Sequence, residues 1–374
     1  MLAVWLREGK TCIFGPFPVY YYNTRRCDGM ADVTDSKSVP SDGVWVRVPP
    51  PAPTLSPQEK ALFLSTDHIS REVYIVNERM YAHYLSTGIY TNPSLYADYF
   101  RALPDSIPDL GKLICDQIVH PTVLLFPNPN LEKYFGSFSK YPDTRVINED
   151  EIFVTASAMA AELFRLDPSG FVSGKDACSR IAVTCRHASV LMASVCKAKG
   201  IPCRCRAGFI DFRHNGSTCG DHWINQIWNE QEHRWINVDV SGYYEYEDRF
   251  GFSQYDMPDD KFSFAAQAWL DIRNGKVKGE HYVYQDAKET NGLDAALIYL
   301  FLDFHSLMNN EIFYSFRPKH VYRGIGQIAE EELREIDCLA EILAEPDDNF
   351  DKLLDIWNTQ KRFRILTSPF NEDF

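Results

Sequence analysis

Between residues 184 and 240 the apolar pattern changes period once, and that change restricts the fold more than any other feature of the chain. Ala188, Leu191, Met192, Val195 and Cys196 recur at helical spacing. Gly200 and Pro202 then stop the helix, glycine by allowing a left-handed exit and proline by breaking the next turn. Three runs with strand character follow over residues 203–212, 223–228 and 235–240, separated by the turn-rich segments HNGSTCGD and NEQEH. One helix leading directly into such strands predicts an α+β core.

The flanks read as mainly helical. Among the 374 residues, enough for two or three domains at about 150 residues each, four segments stand out: a tail over 1–54, a helical segment over 55–139, the α+β core over 140–260 and a helical region over 261–374. Residues 26–53 lack any period and end in a proline cluster, which predicts an unstructured tail. The same stretch admits codons resembling a transfer RNA, GTTCGAGTC over residues 46–48 and GCACCA over Ala52 and Pro53, so 1–54 also reads as a translated RNA gene outside the native protein. Ser56, Pro57 and Glu59 form a capping box where the first helix would start. Leu110, Leu113, Ile114 and Ile118 give a one-sided apolar face. Further helices are expected over 149–164, 263–272, 293–308, 328–343 and 349–361.

Charge and composition exclude several classes of function. With 52 acidic and 38 basic side chains the net charge is -14, which repels phosphate backbones and anionic lipid surfaces. No nucleic-acid or membrane partner is expected. The apolar run over residues 295–302 is bounded by Asp294 and Asp303 and is far shorter than the ~20 residues a membrane span needs, so it predicts a buried helix. The first residues, MLAVWLREGK, place charges where a secretory signal would be apolar. Ten cysteines with no C-x-x-C pair fit a reduced, cytoplasmic setting better than a disulfide scaffold.

Chemistry concentrates where the period changes. Cys185 opens the helix, where the macrodipole favours a thiolate and an unpaired first-turn N–H can face a developing oxyanion. His187 cannot be its base, because positions two apart on a helix point to nearly opposite sides. His222 opens the second strand run and Asp239 ends the third. An antiparallel pairing of those strands would bring both side chains to one end of the sheet, with Asp239 orienting the imidazole toward the thiol.

The order Cys185, GIPCRCRAG, DHW, RWINVD resembles the transglutaminase-like superfamily. That family places a cysteine at the head of a helix, a Gly-Ile-Pro-x-Arg turn with a later glycine, a His-bearing strand and a Trp-x-x-x-Asp strand, matched here by residues 200–204 with Gly208, by His222, and by Trp235 with Asp239. DHW followed by WLDIRNGK is similar to a bacterial branch with helical flanks on both sides. One departure is that Trp223 follows His222 directly, where many relatives have a small residue between them. The resemblance implies a papain-like core and a Cys185, His222, Asp239 triad that forms a thioester from an amide or ester carbonyl of a peptide, protein or small amide, without cofactor or metal. Hydrolysis, as in a peptidase or amidase, is the first expectation. Transfer of the acyl group to an amine is the second, and a non-catalytic scaffold binding protein partners is the third. The motifs do not settle the oligomeric state.

Other features are expected to be structural. Cys203 and Cys205 are read as facing opposite sides of their strand, which disfavours a shared metal, and Cys178, Cys219, His187 and His214 lack paired ligand spacing. The aromatic run YYEYEDRFGF after Asp239 is expected to pack or to form a platform beside the thiol.

Overall fold

The computed structural model describes residues 3–7, 10–14, 78–125, 131–135, 141, 142, 145, 149–212, 216, 218–241, 250–284, 290, 292–322, 324–364, 366 and 367. Contacts divide the chain into two units, Met1–Ile75 and Val76–Phe374. In the first, β1 (Ala3–Arg7) and β2 (Lys10–Phe14) pair antiparallel. The rest of the 1–54 tail, including the aperiodic stretch over 26–53, lies outside the described residues, as does the Ser56 capping box.

The second unit is built on a five-stranded sheet. Ahead of it, β3 (Ile118–Val119) and β4 (Ile181–Ala182) form a short parallel pair that leads into the helix Cys185–Ala198. The sheet then follows as β5 (Cys203–Ile210), β6 (Cys219–Asn229) and β7 (Arg234–Val238), in spatial order β7-β6-β5-β8 with β8 at Ser263–Phe264, while β9 (Tyr282–Val283) runs parallel to the start of β6.

Local chemistry sets this register. At the β6–β7 turn the Asn229 side-chain oxygen accepts from the backbone N–H groups of Gln231 and Glu232 at 3.0 and 3.2 Å, and His233 takes a positive φ of 52° to close the hairpin. Gly208 pairs with both His222 and Phe264. A Cβ there would sit 2.3 Å from the Ser263 carbonyl oxygen, so only glycine admits β8 at that distance.

The cysteine helix ends as its sequence predicts. Gly200 adopts φ +78°, its N–H donates to Lys197 O at 3.0 Å, and Ile201 N–H reaches back to Cys196 O at 2.9 Å. The expected apolar stripe is buried, but so is every residue from Cys185 to Lys197, because sheet strands cover one side and the helices Ile107–Cys115 and Ala156–Leu166 another. A helix enclosed on all sides must satisfy its own polar groups. Ser189 Oγ accordingly donates to Ile224 O, and Asn225 Nδ2 donates to Ser189 O.

Two expectations need correction. The helix expected over 149–164 is two helices, Glu149–Ile152 and Ala156–Leu166, because Thr155 takes an extended conformation and its hydroxyl caps Ala158 N at 3.2 Å. Cys203 and Cys205 share one face of β5, since side chains two apart in a strand point the same way. Asn225 Nδ2 lies 3.5 Å from one sulfur and 3.9 Å from the other.

The carboxy-terminal helices Ala265–Arg273, Gly292–Leu307, Glu330–Ala344 and Phe350–Thr359 fall close to their expected positions. Residues 295–302 are buried, and no described helix is long and apolar enough to cross a membrane. The helix Gly292–Leu307 packs on β5 and carries Asp303, which is fully buried and accepts from Arg206 Nε and Nη2 at 2.9 Å each and from Ala207 N at 2.9 Å. Removing one partner of such a pair strands a buried charge at a cost of about 3–5 kcal/mol. Asp303→Ala is therefore expected to lower the unfolding free energy by about that amount in urea titrations, and Arg206→Met in the same chain to restore part of it.

Candidate active site

The Cys185 side chain sits at the first position of its helix, just after Thr184, whose φ of −83° and ψ of 174° lie outside the helical region. First-turn N–H groups have no intrahelical partner, which leaves the Cys185 amide available as a donor at the helix start. Cys185 is 7% exposed, and its sulfur lies 3.5 Å from Tyr314 Oη.

His222 reaches this point from β6 and Asp239 from the residue just after β7. The antiparallel register that pairs Asn225 with Val238 brings their side chains together across the strands. His222 Nε2 and Asp239 Oδ2 are 2.8 Å apart, and both residues are buried. With Nε2 engaged, Nδ1 is the ring nitrogen left for a second partner, and Cys185 lies near enough to act electrostatically on the imidazole. Of the three residues singled out in the sequence, the structure bonds Asp239 to His222 and places Cys185 within electrostatic reach of the imidazole.

Asp239 is held from several sides. Its Oδ1 accepts from Ser241 N at 2.9 Å and Ser241 Oγ at 2.8 Å. Its backbone N–H donates to Gln254 O, and its carbonyl accepts from Gln254 Nε2. The Phe212 ring packs edge-on against the imidazole.

The electrostatics follow from burial and pairing. Burial disfavours the His222 cation, but the Asp239 charge and hydrogen bond, with a smaller electrostatic contribution from Cys185, outweigh it and push the imidazole up to about 10. Burial likewise opposes the Asp239 carboxylate, yet His222 and Ser241 hold its pKa below the usual value. His120 is pushed the other way, to about 4, by burial and by repulsion from His222. His187 is neutral through burial and the neighbouring Arg186 charge, and its Nδ1 lies 2.8 Å from Thr184 Oγ1.

Several residues of this site escaped the sequence reading. Ser241 had a signal, since a residue two after an aspartate commonly donates its N–H to that side chain. Tyr314 had none: it lies in the aperiodic stretch after the helix Gly292–Leu307, far along the chain from Cys185. Cys219 Sγ lies 3.4 Å from His281 Nε2, while His214 and most of the aromatic run after Asp239, residues 242–249, lie outside the described residues. Among the described residues, no group of three or more His, Cys, Asp or Glu side chains converges to hold a metal ion.

Residues 165–240 match the model of the transglutaminase-like superfamily. The chain carries a transglutaminase-like core. No curated protein and no solved structure matches the chain. The matched segment contains Cys185, His222 and Asp239, whereas Ser241 and Tyr314 fall outside it. With its helical extensions, the protein is an α+β fold built around this transglutaminase-like core.

The pairing has a pH signature. The raised His222 pKa contributes stability that is complete below 6.5, its unfolded value, and is lost as pH rises toward about 10. The lowered Asp239 pKa contributes stability present above 3.8 and lost as pH falls through its folded value. Asp239→Asn is expected to bring the His222 titration, followed by imidazole proton NMR, to 6.5 or below. Its stability deficit against wild type is expected to be largest between pH 3.8 and 6.5 and to shrink toward pH 10.

Proposed function

We propose that the protein is a thiol enzyme that cleaves an amide or ester carbonyl substrate by way of a thioester, acting as a peptidase or amidase. Cys185 is the nucleophile, His222 the general base and acid, and Asp239 the group that orients the imidazole and stabilises its cation. The single observation that carries this reading is the position of His222, bonded through Nε2 to a buried carboxylate and near enough to Cys185, at a helix start, for the two to interact electrostatically.

In the reactive form the proton already sits on His222 and Cys185 is the thiolate; Sγ bonds to the carbonyl carbon, and the C=O π pair moves to oxygen. Collapse of the tetrahedral species breaks the C–N bond, and His222 returns its proton to the leaving amine. Water then gives a proton to His222, attacks the thioester and releases the acid and the thiol. This sequence needs no cofactor. Its substrate is a peptide, a protein or a small amide. Low exposure of Cys185 supports a second reading in which a bound amine takes the place of water and the enzyme is an acyltransferase.

Alkylation with iodoacetamide near neutral pH, mapped by mass spectrometry, tests the shared part of both readings. Cys185, though buried, is expected to react ahead of the exposed Cys338, and His222→Ala to slow it by about 10²-fold, the scale of a lost acid–base partner. Uniform slow labelling would leave a binding scaffold instead. A labelled peptide-amide then separates the two enzyme readings, ammonia release alone marking hydrolysis and incorporation of an added amine marking transfer.

A further inference from the structure

Attack of Sγ on a carbonyl leaves negative charge on an oxygen within about 3 Å of the sulfur, and such oxyanions are stabilised by preorganised donors. The Cys185 backbone N–H is one donor. A second has to come from outside the cysteine helix. Tyr314 Oη lies 3.5 Å from Cys185 Sγ and 3.2 Å from Thr184 Oγ1, so it touches the side chains on both sides of the Thr184–Cys185 peptide whose N–H is the first donor.

We propose that Tyr314 is a catalytic residue whose hydroxyl, together with the Cys185 N–H, donates to the oxyanion formed at Cys185. The proposal rests on the reading of Cys185 as nucleophile. No covalent step is added: the phenol keeps its proton and changes only its acceptor.

The surroundings of the tyrosine are built for that exchange. In the resting protein the phenol donates to Thr184 Oγ1. Thr184 can donate its hydroxyl hydrogen bond to Nδ1 of His187, 2.8 Å away, which leaves its oxygen lone pairs as the acceptor. Burial and the neighbouring Cys185 charge keep the phenol protonated. Its position is set from the nucleophile's own helix. The fully buried Arg186 guanidinium donates to the backbone oxygens of Glu311 and Ile312, at 3.0 and 3.2 Å from Nε, and to Val154 O at 3.1 Å. The backbone just before Tyr314 is therefore tied to the residue just after Cys185. The Trp223 ring meets the tyrosine edge-on at 6.3 Å between centroids and limits sideways movement. A residue from the carboxy-terminal extension would thus complete a site whose other members lie in the transglutaminase-like core.

Two probes of Cys185 separate this role from the alternatives. Acylation by p-nitrophenyl acetate builds an oxyanion, whereas alkylation by iodoacetamide does not. Tyr314→Phe is expected to slow acylation by about 10²-fold while alkylation stays near the wild-type rate. Thr184→Val removes the resting acceptor and keeps the phenol, and it is expected to retain most of the acylation rate. Equal slowing of both reactions in Tyr314→Phe, or acceleration of both because the ring had only blocked the thiol, would overturn the proposal. So would unchanged acylation, or a Thr184→Val loss as large as that of Tyr314→Phe. A wild-type Cys185 inert to both probes would sink the nucleophile reading itself, and this proposal with it.

Discussion

The buried contact between His222 and Asp239 is the constraint on which the rest of the site depends. Placing a carboxylate and an imidazolium out of water costs several kcal/mol per ion unless each finds good partners. Here the carboxylate receives His222 on one oxygen and both donors of Ser241 on the other, and Gln254 holds the backbone on either side of it. That saturation lets the charge pair survive burial, and the pair in turn fixes which imidazole nitrogen faces the thiol. Without it the histidine would be neutral and free to rotate, and Cys185 would be one more buried cysteine among several.

Buried arginines do comparable work between the core and the carboxy-terminal helices. Arg206 on β5 is held by Asp303 of the helix Gly292–Leu307, and Arg186 beside Cys185 is held by carbonyls at Glu311 and Ile312 shortly after that helix. Both anchors are planar, multiply bonded guanidinium groups, a geometry that fixes direction as well as distance. The carboxy-terminal extension is therefore registered against the candidate site. A side chain from it, Tyr314, can meet the Cys185 sulfur without any local sequence motif to announce it.

What could be read in the sequence follows from which forces are local. The Gly200–Pro202 stop, the Asn229 turn and the strand composition of β5 to β7 act within a few residues, so the helix, the strands and the contact of His222 with Asp239 are legible in the sequence. The carboxy-terminal helices were legible for the same reason, through their apolar periodicity. The break before Ala156 was missed because a single threonine cap overrode an alanine-rich helical pattern. The start of β6 at Cys219 was read as turn because CGD has turn composition, yet pairing with β5 and β9 makes it strand. The shared face of Cys203 and Cys205 needed only the two-residue period of a strand, and the opposite expectation misapplied it. Tyr314 and Arg186 were out of reach, since their contacts join distant segments and depend on tertiary packing alone.

The most direct measurement is the intact mass of the protein quenched in acid seconds after mixing with an activated peptide ester. The account predicts one acyl adduct on Cys185, released by neutral hydroxylamine as a thioester is, absent from Cys185→Ala and formed far more slowly by His222→Ala. An adduct that persists in Cys185→Ala, or none on wild type at any time, would contradict it.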